Sequence, residues 1–362
     1  MKKVLVLGCT GSIGTSTLDI CRNMKEKFSV CGLTANSKKE QLEKLSREFN
    51  CNVSLTSEDG TSGIEKLIDE TKPDIVVNGI AGASGLVPSK IVLEKGIDLA
   101  LANKETVVMA WPLIKNLAAK NNAKIIPVDS EHSAIFNLIN QAGKENVDEI
   151  IITASGGPFR NKTKEELEHV TVEDALKHPT WNMGKKITID SASLANKGLE
   201  VIEANRLFNC PTEKIKVVVH PQSLIHSLVR TNDGMLYAQI SDPDMKHPIY
   251  SALTYPLNEK PYLKPFDLFD HEMTFFKPRT EDFPMLKYAF EVTSKPASYS
   301  IAYNAANEIA VAEFIEGRLK FTQIPEIVYA VLSKDWSSEP SSFEDVFEID
   351  SKSRKIARDF IK

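Results

Sequence analysis

The stretch VLVLGCTGSIG, residues 4–14, decides the class of fold. Its apolar half predicts a buried strand, and its second half places Gly8, Gly11 and Gly14 at the turn into a helix. Glycines at such a turn let backbone N–H groups approach the pyrophosphate of a dinucleotide at the helix N-terminus. The alternative is that these glycines serve only a tight turn between strand and helix and bind no ligand. The clean strand before them and the amphipathic helix after them favour the dinucleotide site.

Short apolar runs like the first one recur along the first third of the chain. Five more begin at Ser29, Asn52, Asp74, Asp98 and Lys124, and helical periodicity fills the intervals between them. Strands and helices that alternate at this spacing form right-handed βαβ units and a parallel sheet covered by helices on both sides. We therefore expect an α/β fold with an N-terminal Rossmann-like, doubly wound parallel sheet.

The character of the sequence changes after about Ile150. EIIITASGGPF predicts one more strand, and KVVVHPQSLIHSLV and MLYAQI predict strands joined by a hairpin at Asn-Asp-Gly. Later apolar residues return at helical spacing. These patterns predict a dinucleotide-binding domain over 1–128, a central α+β catalytic domain over 129–255, an extended linker over 256–282 and a C-terminal helical bundle over 283–362.

Composition excludes several classes of partner. A net charge of −5 gives no electrostatic reason to expect nucleic acid or an anionic membrane. The first apolar run stops at Gly8, too soon for a signal peptide, and no later run is long enough to span a membrane. The five cysteines form no CxxC pair, so neither disulfides nor a thiolate zinc site are indicated. We expect a cytoplasmic location, or an organelle if the chain is a trimmed mature form.

The turn after the second predicted strand indicates which dinucleotide binds. In NAD enzymes an acidic residue at this point holds the ribose 2′-hydroxyl. Here the sequence has Asn36, Ser37, Lys38 and Lys39 instead, and these residues suit a 2′-phosphate. The alternative is that the lysines only solvate the next helix.

Polar residues also follow the fourth and fifth predicted strands, in NGIAGASGL and in ANKE, residues 102–105. Open α/β sheets bind ligands at the carboxyl ends of their strands. We therefore expect Lys104, between Asn103 and Glu105, to face the cleft rather than bulk water.

The sixth predicted strand leads into PVDSEHSAIF, residues 127–136. Asp129 and Glu131 would point to one side of an extended segment, and two carboxylates held together need a cation. Hard oxygen ligands select Mg²⁺ or Mn²⁺ over zinc. The alternative is that Asp129 or Ser130 simply caps the helix that follows.

A third carboxylate is present in KITIDSASLANKGLEVIEANRLF, residues 186–208. We expect a strand in KITID, followed by small polar donors beside a lysine that suit a phosphate monoester. Glu200 is the candidate third carboxylate, whereas Glu203 is expected to point to solvent. The polar cluster consists of Ser191, Ser193, Asn196, Lys197, Glu200 and Glu203.

The long polar segment 155–184 has the features of a lid. It is bounded by Gly156-Gly157 and by Gly184, and it carries Trp181 among polar neighbours. Such a segment can close over a ligand. The alternative is that Trp181 packs permanently in the core.

Taken together, these stretches resemble the 1-deoxy-D-xylulose 5-phosphate reductoisomerase family. The matching motifs run in order from residue 8 to residue 314 and are GCTGSIGTSTLD, NGIAGASGL, ANKE, PVDSEHSAIF, ITASGGPF, HPTWNMGKKITIDSASLANKGLEVIEA, VVHPQSLIHSLV, DPDM and NAANEIAVAEF. The resemblance implies rearrangement and reduction of 1-deoxy-D-xylulose 5-phosphate to 2-C-methyl-D-erythritol 4-phosphate, in the non-mevalonate route to isoprenoid precursors. It implies NADPH and Mg²⁺ or Mn²⁺ as cofactors, and a homodimer.

The resemblance also implies roles for individual residues. Lys104 and Glu131 would be catalytic, and the metal ligands would be Asp129, Glu131 and Glu200. The substrate-binding residues would be Ser130, Ser155, His178, Trp181, Ser191, Asn196, Lys197 and Glu200. The cofactor-binding residues, which include the three glycines of the fingerprint, would be Gly8, Thr10, Gly11, Ser12, Ile13, Gly14, Asn36, Asn103, Glu105 and Gly184.

Two other functions share part of this pattern. A metal-dependent NADP hydroxyacid dehydrogenase would have the glycine loop and the carboxylates, but it would not need the phosphate-type cluster at 191–197. A nucleotide-sensing protein on a Rossmann scaffold would not need three carboxylates and a lysine in one cleft. Fold alone does not separate these functions.

Overall fold

The computed structural model describes residues 1–361, which form two compact units. The first unit comprises residues 1–106, 112–133 and 244–266, and the second comprises 107–111, 134–243 and the chain from 267 onward. The domain boundaries expected from the sequence stay a prediction.

The first unit contains a six-stranded parallel sheet in the order β3-β2-β1-β4-β5-β6. This is the strand order of a doubly wound fold, so the predicted Rossmann-like sheet is confirmed. The strands are β1 (Lys2–Leu7), β2 (Phe28–Ala35), β3 (Asn52–Leu55), β4 (Ile75–Asn78), β5 (Asp98–Leu101) and β6 (Ile125–Pro127). The helices of this part of the chain are α1 (Ser12–Asn23), α2 (Lys39–Phe49), α3 (Thr56–Thr71), α4 (Leu86–Glu94), α5 (Lys104–Lys120) and α6 (Ser130–Ala142).

The central strand β1 explains the continuous apolar run that opens the sequence. Its last four residues, Val4 to Leu7, are fully buried, as expected for a parallel strand covered on both faces. The strand order reverses between β1 and β4, and Gly8 and Gly79 follow these two strands. This reversal is the place where doubly wound sheets bind ligands.

The second unit contains a four-stranded mixed sheet in the order β10-β9-β7-β8. Strand β7 is parallel to β8 and antiparallel to β9, and β9 and β10 form the predicted hairpin. The strands are β7 (Val147–Ala154), β8 (Ile215–Val219), β9 (Ile225–Thr231) and β10 (Leu236–Ile240).

Helices make up the rest of the chain. Between the strands they are α7 (Lys164–Leu167), α8 (Val172–Ala175), α9 (Lys185–Ala192), α10 (Ala195–Leu207) and α11 (Lys246–Thr254), of which α11 belongs to the first unit. The predicted C-terminal helices are confirmed as α12 (Met285–Thr293), α13 (Ala297–Ile315), α14 (Gln323–Leu332) and α15 (Phe343–Ile361). Within residues 1–361, no helix is long and apolar enough to cross a membrane.

The core of the second unit lies where α10 meets the C-terminal helices. Leu199 and Ile202 of α10 pack in one cluster with Leu286 and Tyr303, all of them buried. The hydroxyl of Tyr303 donates a hydrogen bond to the carbonyl of Met285 at 3.1 Å, so this ring is buried with its polar atom satisfied. The packing fixes the helix that carries Asn196, Lys197 and Glu200.

The prediction of a strand in KITID is wrong, because these residues lie in helix α9. The hydroxyl of Thr188 donates to the carbonyl of Gly184 at 2.8 Å, as a helical threonine can. Asp190 is almost fully buried, where it accepts from Asn307 and pairs with Lys186 one turn earlier, each at 2.8 Å. These contacts outweigh the preference of β-branched residues for strands.

Candidate active site

The glycine loop of the first unit brings the start of α1 close to the end of β1. Gly8 has a φ of 77°, which only glycine adopts readily. A β-carbon at Gly14 would lie 2.4 Å from the carbonyl oxygen of Gly8, so glycine is required for α1 to begin this close to β1. Gly11 caps α1 without a side-chain hydrogen bond, and so the first N–H groups of this helix are open to a ligand.

The turn after β2 lies at the surface. Asn36 is exposed, and its side-chain oxygen accepts from the hydroxyl of Thr56 at 3.3 Å. Lys39 pairs with Glu58 at 3.1 Å, which agrees with the alternative that this lysine belongs to the surface of the next helix. Lys38 is exposed and has no ion-pair partner among the residues that the structure describes.

The loops after β4 and β5 are tied together by Asn103. Its side-chain amide is buried and donates to the carbonyls of Ile80 and Gly82, both at 2.8 Å, and to the carboxylate of Glu105 at 2.9 Å. Its oxygen accepts from the backbone of Thr106 at 2.9 Å and so caps α5. The side-chain amide of Asn103 is therefore used within the protein, where it ties the two loops together.

Asp129 is held by contacts with residues of the first unit. Oδ1 accepts from the backbone N–H groups of Glu131 at 3.2 Å and His132 at 3.3 Å, while Oδ2 pairs with the ammonium of Lys104. Asp129 therefore caps α6, and its role as a metal ligand stays a prediction. Capping occupies only Oδ1, and the pair with Lys104 supplies the cationic partner that a carboxylate at this position needs.

The geometry of this stretch differs from the expectation in one respect. We expected Asp129 and Glu131 in an extended segment, but α6 already begins at Ser130. The hydroxyl of Ser130 donates to Glu131 Oε2 at 2.5 Å. His132, which sequence reasoning did not single out, is fully buried with Nδ1 2.9 Å from Asp129 Oδ1. Its position three residues after Asp129, on the same helix face, is the signal that could have identified it.

In the second unit, His178 connects two of the predicted phosphate-binding serines. Its Nε2 lies 2.9 Å from the hydroxyl of Ser155 and 3.1 Å from that of Ser191. Its Nδ1 accepts from the backbone N–H groups of Thr180 at 3.1 Å and Trp181 at 2.9 Å. Because Nδ1 accepts twice, the ring proton lies on Nε2, between the two hydroxyls.

This arrangement keeps His178 neutral. Burial, and then the positive charge of Arg160, lower the pKa of His178 from its ordinary 6.5 to about 4. A neutral ring with its proton on Nε2 can donate a hydrogen bond without adding charge. The serine hydroxyls then stay free to turn toward a ligand oxygen.

Helix α10 carries a second cluster of charged and polar groups. Glu200 is fully buried, and its carboxylate accepts from the amide of Asn196 at 2.6 Å and pairs with the ammonium of Lys197. The side-chain oxygen of Asn196 is buried and accepts no hydrogen bond from the protein. The expectation that Glu203 points to solvent is wrong, since it is 2% exposed.

Residues 155–184 form a segment with two short helices, α7 and α8, each with a capping box at its first turn. Gly156 and Gly157 both have positive φ, and a β-carbon at Gly157 would lie 2.6 Å from the carbonyl oxygen of Ser191. Trp181 is half-buried, with its ring centroid 6.4 Å from that of His226, so it is not a fully buried core residue. Gly184, at the other end, is exposed and caps α9.

Comparison with known proteins decides the family. Three family models match this chain: 1-deoxy-D-xylulose 5-phosphate reductoisomerase over residues 4–59 and 50–111, the C-terminal domain of that enzyme over 125–208, and a DXP reductoisomerase C-terminal domain over 240–356. The chain is 50% identical to the 1-deoxy-D-xylulose 5-phosphate reductoisomerase of Treponema denticola, over 98% of this chain and 96% of the relative. The chain belongs to the 1-deoxy-D-xylulose 5-phosphate reductoisomerase family.

Further members of the reductoisomerase family are similar to this chain over nearly its whole length. The enzyme of Treponema pallidum is 45% identical over 99% of this chain and 97% of its own length. A DOX-P reductoisomerase solved in complex with NADPH, fosmidomycin and magnesium matches with a TM-score of 0.91 and 36% identity, over 100% of this chain and 98% of the other. The Zymomonas mobilis enzyme in complex with NADPH matches with a TM-score of 0.89 and 38% identity, over 100% of this chain and 99% of the other.

The state of His178 generates a prediction about stability. Between pH 6.5 and about pH 4 the unfolded chain binds a proton at this residue and the folded chain does not, so the free energy of unfolding falls as the pH is lowered through this window. We expect a shallower fall in His178→Gln than in the wild type, measured by urea unfolding at a series of pH values. The exposed His169→Gln variant is the matched control for the loss of one histidine. Equal slopes for the wild type and His178→Gln would contradict the buried, neutral state.

Proposed function

We propose that this chain rearranges and reduces 1-deoxy-D-xylulose 5-phosphate to 2-C-methyl-D-erythritol 4-phosphate, using NADPH and Mg²⁺ or Mn²⁺. The observation that carries the proposal is that each unit pairs a carboxylate with a buried lysine, Asp129 with Lys104 and Glu200 with Lys197. Membership of the family supports it over both alternatives, the hydroxyacid dehydrogenase and the nucleotide sensor.

Asp129, Glu131 and Glu200 are the proposed ligands of the divalent ion. Each of the three would offer one carboxylate oxygen to a common ion. An all-oxygen donor set fits Mg²⁺ or Mn²⁺. A solved relative is a complex with magnesium, which supports the same assignment.

Lys104 and Glu131 are the proposed catalytic residues. When bound, the ion would polarise the substrate ketone as a Lewis acid and NADPH would supply the hydride. The Lys104 ammonium would offset the negative charge that develops on the substrate oxygen. Glu131, which accepts a hydrogen bond from Ser130 at 2.5 Å, would accept the proton of a substrate hydroxyl.

The polar groups of the second unit are proposed to bind the sugar phosphate. Ser155 and Ser191, with the Nε2 proton of His178 between them, can each donate to a phosphate oxygen. Lys197 supplies positive charge, and the unsatisfied oxygen of Asn196 suits a donor hydroxyl of the sugar. Trp181 would cover the bound sugar if segment 155–184 closes as a lid.

The proposed NADPH site uses the open N-terminus of α1 for the pyrophosphate, through the backbone of Thr10, Gly11, Ser12 and Ile13. The close glycines Gly8 and Gly14 make the approach possible. Beyond the loop, the proposed contacts are Asn36 at the 2′-phosphate, the loops at Asn103 and Glu105, and Gly184.

The cytoplasmic location expected from the sequence stays a prediction.

We also infer that the chain forms a homodimer. The support for a dimer is β10, an edge strand of the second unit's sheet that exposes large apolar side chains. Exposed edge strands of this kind favour pairing with another chain. These apolar side chains of β10 are Leu236, Tyr237 and Ile240, and the exposed Met235 directly precedes them. Sedimentation equilibrium should give about twice the chain mass of 40.2 kDa, whereas the mass of a single chain at micromolar concentration would contradict the inference.

Replacing one proposed metal ligand should remove metal-dependent turnover and keep the fold. Glu131→Gln removes a ligand charge, so we expect NADPH oxidation with deoxyxylulose phosphate at limiting Mn²⁺ to fall by a factor of roughly 10² or more. The exposed Glu40→Gln variant controls for loss of one negative charge from the same unit. Wild-type turnover of Glu131→Gln at limiting Mn²⁺ would refute the assignment.

The cofactor turn predicts a preference for NADPH over NADH. The turn after β2 has Asn36 at the point where NAD enzymes have the acidic residue that binds the ribose 2′-hydroxyl. We expect kcat/KM to be at least about tenfold higher with NADPH, measured with saturating substrate and metal. A ratio near one would show that this turn does not select the 2′-phosphate.

The lid proposal predicts a change in hydrogen exchange. Amides of residues 155–184 should gain protection when NADPH and a substrate analogue bind together, because phosphate contacts at Ser155 and His178 would hold both parts of the segment. The hairpin of β9 and β10 is the internal reference and should change little. Unchanged exchange across 155–184 would show that the segment does not close.

A further inference from the structure

A cavity of about 570 Å³ lies within the second unit. Its apolar walls are formed by Leu194, Val219, Phe276 and Phe283. None of the residues proposed to bind the substrate, the metal or NADPH lines it. Its volume is in the range of cavities that bind small molecules.

The polar side of this cavity is basic. Arg160, Lys277 and Arg279 line it, and no acidic residue does. Arg279 is already paired with Asp282 at 2.8 Å, and it also donates to the backbone carbonyl of Arg160 at 2.9 Å. One of the three cations is therefore neutralised by the protein.

The other two cations have no such partner. Within residues 1–361, the guanidinium of Arg160 and the ammonium of Lys277 have neither a carboxylate nor a hydrogen-bond acceptor, although Arg160 is half-buried. Removing a cation from water without a partner is unfavourable. A guanidinium in this state is a binding group for the two oxygens of a carboxylate or a phosphate.

We propose that this cavity binds a small organic anion that has one carboxylate or phosphate group on an apolar body. The head group pairs with Arg160 and Lys277, and the body packs against Val219, Phe276 and Phe283. One anionic group is sufficient, because a single carboxylate or phosphate can pair with both unpaired cations of the cavity. A bare inorganic anion leaves the apolar walls in contact with water and binds more weakly.

Binding at this cavity has a consequence for the proposed lid. Gly156 lines the cavity, and Arg160 follows it within the first turn of segment 155–184, whereas Thr274 and Lys277 belong to a different part of the chain. A ligand that contacts both parts connects the start of the segment to residues 274–277. The positive charge of Arg160 is also one cause of the low pKa of His178, so an anion paired with Arg160 raises that pKa.

Methyl NMR of the full chain, labelled at Leu and Val, tests the proposal with three matched probes. 4-Phenylbutanoate and 3-phenylpropyl phosphate carry the two head groups, and 4-phenylbutan-1-ol is their neutral counterpart. We expect both anions to shift the methyl resonances of Leu194 and Val219 saturably, with an affinity at least about tenfold higher than that of the alcohol. The head group of the tighter anion then identifies the ligand class.

Three charge-neutralising variants separate a built site from general attraction. Arg160→Gln should weaken binding of the anions about tenfold, and Lys277→Gln, at an exposed position, should weaken it about threefold. Lys287→Gln removes the same charge from an exposed position outside the cavity and should leave affinity unchanged. The proposal is overturned if the alcohol binds as tightly as the anions, if no probe shifts these methyls, or if Lys277→Gln and Lys287→Gln have equal effects.

Discussion

Buried carboxylates need positive partners, and this requirement governs the candidate site. Asp129 is paired with Lys104 in the first unit, and Glu200 is paired with Lys197 in the second. Each pair is enclosed, with Glu200 fully buried, so removing either lysine would leave a carboxylate whose desolvation is uncompensated. A carboxylate binds a metal ion in its ionised state.

The same lysines have a second use in the proposed function. Lys104 would act at the reacting oxygen of the substrate, and Lys197 would supply positive charge to the phosphate. The neutral His178 complements them, since it donates a hydrogen bond without adding a third positive charge. The rest of the fold serves to place these groups: the glycine loop at the end of β1, the Asn103 cap on α5, and α10 packed against the C-terminal helices.

The sequence predicted the first unit's sheet correctly because each parallel strand is a continuous apolar run that ends in a recognisable turn. It failed where tertiary contacts decide local structure. KITID is helical because buried Asp190 binds Asn307 and Lys186, and neither contact is visible as a periodicity. Likewise, Ser155, His178 and Ser191 are 23 and 13 residues apart in sequence, so their hydrogen-bonded arrangement has no local signature. The resemblance to a family suggested these residues, and the structure adds the tautomer of the histidine.

The most direct test of the central claim is the identity of the product. The chain is incubated with deoxyxylulose phosphate labelled with carbon-13, NADPH and Mg²⁺, and the carbon skeleton is followed by NMR while NADPH oxidation is recorded. The account predicts 2-C-methyl-D-erythritol 4-phosphate in equal amount to the NADPH consumed, with its branched skeleton evident from the carbon couplings. Oxidation of NADPH with formation of an unbranched reduced sugar, or no turnover at all, would contradict it.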